Sequence, residues 1–230
     1  WLSVTCRPMN RYSRSNFCDW IMLFDDRADA GRQLAHALDS YRGKTPLILA
    51  IPRGALPIGR VVAETLAGDL DVVLVRKLGA PYNPEFAIGS VGESGHVMVA
   101  DYAARAGADS RYISDEAARQ LEVIRRRRAQ VDQVHAPVSP AGRTVIVVDD
   151  GLATGATMAA ALHEIRATKP AKLVCAVPVG SPDAVARVRP LCDSLVCLSV
   201  EPDFGGVGQF YRNFQQVDDA EALALLKGSI

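Results

Sequence analysis

Val147-Val148-Asp149-Asp150-Gly151-Leu152-Ala153-Thr154-Gly155-Ala156-Thr157-Met158 is the stretch from which the rest of the chain can be read. The apolar run Thr144–Val148 that leads into it has the composition of a buried strand, and Ala156–Ala167 beyond it has that of a helix. Between them lie two carboxylates and a turn of small residues. Such a turn can wrap a phosphate with bare backbone N–H groups at the positive end of a helix dipole. Asp149 and Asp150 would repel that phosphate, but they suit hydroxyl groups beside it, as on a ribose 5-phosphate. The segment lacks the Gly-Lys-Ser/Thr of a Walker A loop and the G-x-G-x-x-G of a dinucleotide fingerprint. Helix capping would account for one aspartate, but not for two followed by Thr-Gly-Ala-Thr.

The 230 residues have room for one α/β domain with additions, and 49% apolar residues suffice for a sizeable core. A formal net charge of zero argues against bulk electrostatic binding of nucleic acid or of a membrane surface. No apolar run approaches the roughly 18 residues that span a bilayer. The five cysteines are an odd number and form no C-x-x-C pair, so a reducing, cytoplasmic setting is expected. The four histidines show no metal-ligand spacing. Residues 1–21 mix Arg, Ser, Asn and Cys without periodicity; they are expected to be a disordered extension, with regular patterning beginning after Met22.

Along the chain, helices are expected over Asp25–Tyr41, Pro57–Leu66, Asp115–Gln133 (capped by Ser114), Pro182–Val188 and Asp218–Leu226. Strands are expected at Leu47–Ile51, Asp71–Val75, Thr144–Val148, Lys172–Val179 and Ser194–Val200. A hairpin is expected from Phe86–Val91 and His96–Ala100 around Glu93-Ser94-Gly95. Strand–helix alternation predicts a doubly wound, mainly parallel sheet covered on both faces, with ligands beyond the carboxyl ends of its strands. Three loops fall at such ends: after Ile51, after Val75 and after Val148.

The Asp149–Thr157 segment resembles the phosphoribosyl-diphosphate (PRPP) motif of type I phosphoribosyltransferases, and the order of elements is similar over roughly residues 25–200. The wording Arg76-Lys77-Leu78-Gly79-Ala80-Pro81-Tyr82-Asn83-Pro84-Glu85-Phe86 is similar to a bacterial subgroup of that family. The resemblance implies a phosphoribosyltransferase-like domain at 22–200, with a mobile β-hairpin loop, and a small C-terminal hood at 201–230. It implies that Asp149 and Asp150 bind the ribose hydroxyls and a bridging Mg²⁺, and that Ala153, Thr154, Gly155, Ala156 and Thr157 hold the 5-phosphate. Arg53 and Gly54, in a loop whose Arg53–Gly54 peptide would be cis, together with Arg76 and Lys77, would meet the diphosphate. Arg53 and Lys77 are the candidate catalytic groups. Residues 78–95 would form the closing loop, and Phe210 and Tyr211 would stack on a planar acceptor.

The reaction implied is transfer of the 5-phosphoribosyl group between PRPP and a small nitrogenous, nucleobase-like acceptor, with release of diphosphate. Ala153 stands where hypoxanthine-type relatives carry an acid, so the motif leaves the acceptor open; Glu85 and Glu93 are candidate bases. The alternative is a PRPP-sensing regulator without turnover, against which the neutral charge and the intact Arg53, Arg76 and Lys77 argue. The run Arg125–Arg128 reads as a solvated helix face, with room for a homodimer contact, rather than as an RNA or phosphate site.

Overall fold

The computed structural model describes residues 23–227, and the expected extension at 1–21 lies outside them. Five strands form a wholly parallel sheet: β1 (Leu47–Ala50), β2 (Asp69–Val72), β6 (Thr144–Val148), β7 (Lys172–Gly180) and β8 (Ser194–Val200), in the order β2-β1-β6-β7-β8. The short apolar runs are buried on both sides, as parallel strands between helical layers must be. Alternation divides their side chains between two cores. Ile48, Ala50, Ile146, Val148, Val174 and Ala176 face a layer containing α1 (Arg27–Ala37) and α2 (Leu56–Leu66). Leu47, Leu49, Val145, Val147, Leu173 and Cys175 face α4 (Ala156–Ala167) and α5 (Pro182–Val188).

The expected strand Asp71–Val75 resolves into two. β2 ends at Val72, and β3 (Val75–Ala80) leaves the parallel sheet to pair antiparallel with β4 (Asn83–Gly92), which pairs in turn with β5 (Val97–Val99). The closing loop expected at 78–95 lies in this three-stranded antiparallel arm. Helix α3 (Ser110–Asp132) begins earlier than expected, because Asp109 and not Ser114 is its cap: the Asp109 side chain accepts a hydrogen bond from the Tyr112 amide. The last helix, α6 (Asp219–Lys227), closes the chain against α2.

The Arg125–Arg128 run departs from a solvated face at its last member. Arg128 donates from Nε and Nη2 to Glu93 (2.7 and 2.8 Å), from Nη1 to Asp71 (3.2 Å) and from Nη2 to the Val72 carbonyl (3.0 Å). Asp71 is nearly inaccessible, and its other oxygen accepts from the Val138 amide. One guanidinium thus ties α3, the edge strand β2 and the turn after β4. Removing it while leaving two carboxylates behind is the costly way to break such a cluster. Arg128→Met should lower unfolding free energy by about 3 kcal/mol in urea titration. The doubly matched Arg128→Met/Glu93→Gln should lose less than the sum of its single changes.

Candidate functional site

β1 and β6 are neighbours in register, Ala50 opposite Val148, so the loops that follow them meet. The meeting is close: a Cβ on Gly54 would collide with the Asp150 carboxylate and come within 3.4 Å of an Arg27 nitrogen. Only a glycine lets the backbone pass here. The cis peptide of this loop is Pro52–Arg53, one residue before the expected Arg53–Gly54 bond.

Asp150 is 15% exposed and pairs with Arg27, itself 10% exposed, whose Nη2 and Nε donate to the same Oδ2 at 2.9 and 3.2 Å. Arg27 also donates from Nη1 to the Gln215 carbonyl at 2.7 Å, and its guanidinium carbon lies 3.8 Å from the centre of the Phe214 ring. Burial raises the Asp150 carboxyl above the ordinary carboxylate range, with Arg27 opposing the shift. Burial, and next the charge of Asp150, push Asp149 well above that range; the Asp150 amide donates to Asp149 at 2.9 Å. The pair is not equivalent: Asp150 has a cation of its own, and Asp149 takes its charge mainly against desolvation.

The turn that follows is held by main chain. Leu152 forms a parallel bridge with Gly180, donating to Val179 at 2.9 Å and accepting from Ser181 at 2.9 Å, and Ser181 Oγ donates to the Ala153 carbonyl. Gly155, with φ of 73°, caps α4 without a side-chain acceptor, and Ala153, Thr154, Ala156 and Thr157 are exposed around the first turn. The first amide of α4, that of Ala156, donates to Thr154 Oγ1 at 3.4 Å, and no side chain of the cap residue takes the others, an arrangement suited to a phosphate.

Other expected site residues are placed differently. Arg76 and Lys77 lie within β3 and alternate across it, so they do not act as one cationic cluster. Arg76 donates to Gln120 on α3 (3.0 Å), whereas Lys77 pairs with Glu85 (2.6 Å) across the hairpin. The side chain of Arg53 runs to Asp219 on α6 at 3.2 Å. Glu93, a candidate base, is committed to Arg128 and to the Leu74 amide. Phe210 and Tyr211 are buried rather than open for stacking. Tyr211 packs on Phe24 and Phe214 at 5.3 and 5.0 Å between ring centres and donates its hydroxyl to the Asp150 carbonyl at 2.7 Å. The accessible ring of the hood is Phe214.

Arg27, Phe214 and Asp219 escaped sequence reasoning. A trace of Arg27 was present: an arginine at the first helical position opposes the helix dipole, which favours acids there. Such a residue needs another reason to be placed at that end, and here the reason is Asp150.

A model of the phosphoribosyl transferase domain matches residues 20–215. Two curated Mycobacterium tuberculosis sequences, from strains CDC 1551 and H37Rv, carry a provisional phosphoribosyl transferase name; each is 43% identical over 205 residues, covering 89% of this chain and 46% of the relative. The chain therefore spans about half the length of the curated relatives it matches. The crystal structure of TT1426 from Thermus thermophilus is 46% identical, covers 90% of this chain and 98% of its own, and superposes with a TM-score of 0.79. The chain belongs to the phosphoribosyl transferase domain family.

Removing Arg27 leaves Asp150 as a desolvated charge without its cation. Arg27→Met should cost about 3 kcal/mol of stability by chemical denaturation, near the lower end for a broken buried pair. Arg27→Lys, which keeps the charge but loses the planar fork and the ring contact, should recover part of it.

Proposed function

We propose that this protein transfers the 5-phosphoribosyl group between PRPP and a small nitrogenous acceptor of the nucleobase class, releasing diphosphate. The observation that carries this reading is the union, at one sheet end, of the Asp149–Asp150 pair with the N-terminus of α4, whose cap residue Gly155 offers no side chain. Carboxylates accept hydrogen bonds from two ribose hydroxyls while the adjacent amides and the Thr154 and Thr157 hydroxyls take the 5-phosphate. That sets the anomeric carbon of the sugar beside the loop after β1, where Gly54 permits close approach of the backbone.

Displacement at the anomeric carbon passes through an oxocarbenium-like state, whose positive charge the nearby carboxylates favour. Among the described residues there is no group of three or more metal-ligating side chains. Asp149 and Asp150 fit Mg²⁺ in donor type, since hard ions take oxygen ligands, but the rest of its shell would come from the donor's hydroxyl and diphosphate oxygens and from water. When bound, the ion would neutralise charge building on the departing diphosphate. The chain's own residues then orient the ribose and hold the 5-phosphate. Phe214, backed by Arg27, is the accessible aromatic surface on which a planar acceptor could rest. Ala153 has no group to move a proton, and Glu85, the other candidate base, is paired with Lys77.

Incubation with PRPP, Mg²⁺ and a panel of purine, pyrimidine and related nitrogen bases should release diphosphate with at least one of them. PRPP binding without consumption across the panel would instead favour a sensing role. Asp150→Asn should weaken binding of PRPP by about 1.5–3 kcal/mol, the scale of a hydrogen bond to a charged group, or about ten- to a hundredfold in Kd by calorimetry. An unchanged isotherm would remove Asp150 from the donor site.

A further inference from the structure

The loop after β1 has two sides. Gly54 turns to Asp150, whereas Arg53 sends its side chain the other way, toward α3 and α6. There its Nη1 lies 3.2 Å from Oδ1 of Asp219, and Nη2 of Arg127, on α3, lies 3.8 Å from the same oxygen. Two guanidiniums from distant parts of the chain converge on one carboxylate oxygen. A third, Arg76, lines with Arg127 a cleft of about 50 Å³ walled by Pro52, Leu74, Val123 and Ile124. A second, mostly apolar hollow of about 30 Å³ adjoins it, floored by Leu56, Leu223 and Leu226, with Arg53, Arg127 and Asp219 on its border.

The charges here do not balance. Arg76 is bonded to the neutral amide of Gln120, and among the described residues Asp219 is the one carboxylate within ion-pair distance of any of the three guanidiniums. Asp219 is itself 65% exposed, at the first position of α6. An exposed pair of this kind is weakly held, because water competes for both partners. Arg127 borders both hollows, with Arg76 in one and Arg53 in the other, and like charges gathered in this way repel unless an anion is shared among them. Guanidinium forks match phosphoryl oxygens geometrically, and an anion with several charges offers more than the single carboxylate now present.

We propose that Arg127, from α3, binds diphosphate across the two adjoining hollows, with Arg53 on one side and Arg76 on the other, and that Asp219 is an internal carboxylate which holds the Arg53 and Arg127 guanidiniums until the anion displaces it. The identity of the anion rests on the transferase reading above, in which diphosphate is the leaving group. Arg127, a member of a run that reads in sequence as a solvated helix face, becomes a ligand-binding residue. Displacement of Asp219 frees the start of α6 from the loop after β1, so anion binding is felt by the C-terminal helix.

The test is calorimetric titration of the full chain with inorganic diphosphate, inorganic phosphate and ribose 5-phosphate, with thermal midpoints confirming that each variant is folded. Asp219→Asn removes the competing charge and should tighten diphosphate binding about two- to fivefold, the scale of an exposed ion pair. Arg127→Gln should weaken it about tenfold, the scale of a charge-assisted hydrogen bond. Neither change should move the Kd for ribose 5-phosphate. A diphosphate affinity indifferent to Arg127→Gln, or lowered by Asp219→Asn, would overturn the proposal, as would inorganic phosphate binding as tightly as diphosphate. The two readings fail separately. Diphosphate binding that depends on Arg127, in a protein that consumes no PRPP, would sink the transferase and keep the cleft; turnover with Arg127 irrelevant to diphosphate would sink the cleft alone.

Discussion

A carboxylate withdrawn from water has to be compensated or protonated, and Asp150 is compensated by Arg27. Much of the molecule's ligand end is arranged around that requirement. Arg27 opens α1, so the helix must start where its first side chain can reach the end of β6. The guanidinium in turn rests on Phe214 and bonds the Gln215 carbonyl, which fixes the chain after β8 over the site. Tyr211, between Phe24 and Phe214, adds a hydrogen bond to the Asp150 main chain. Gly54 completes the set by leaving room for the carboxylate. The start of α1, the segment Tyr211–Gln215 and the first β–α loop all meet at Asp150.

The hairpin arm is joined to the same end of the sheet by a second set of contacts. Glu164, nearly buried on α4, accepts from the amide and hydroxyl of Ser94 at 2.7 Å each, and Gly92 lies so close to it that a Cβ there would collide with its carboxylate. Arg128 holds the adjacent Glu93 from the α3 side. The turn between β4 and β5 is therefore clamped between two helices, one of which begins at the phosphate-type turn. Farther out, Tyr112 bonds the Gly79 carbonyl and Tyr102 the Ala87 carbonyl, while Tyr82 at the tip is 93% exposed.

Periodicity and local chemistry carried most of the fold. Thr144–Val148, Ala156–Ala167, Pro182–Val188 and Ser194–Val200 have the bounds expected from sequence, because each is an apolar run or stripe closed by a cap, a glycine or a proline. The transition at Val72–Val75 was illegible: Asp71–Val75 is continuously apolar after its first residue, and nothing local says that the chain changes sheets within it. The start of α3 was missed for a similar reason, since Asp109 and Ser114 are both competent caps and tertiary packing of Tyr112 decides between them. At the site, the residues supplied by one contiguous motif could be read directly. Partners brought from elsewhere in the chain could not. Arg27 and Asp150 are separated by 123 positions, and Arg53 and Asp219 by 166. Long-range ion pairs leave no period in a sequence.

Strand geometry also changes what a pair of adjacent basic residues means. At the end of a strand, Arg76 and Lys77 could turn together toward one anion; inside β3, the two-residue repeat sends them to opposite faces. Arg76 then joins α3, and Lys77 joins Glu85 on the neighbouring strand. The consequence is a separation of charge at the ligand end. Carboxylates with a single cation stand at the end of β6, and guanidiniums with a single carboxylate stand beyond β1 toward α3.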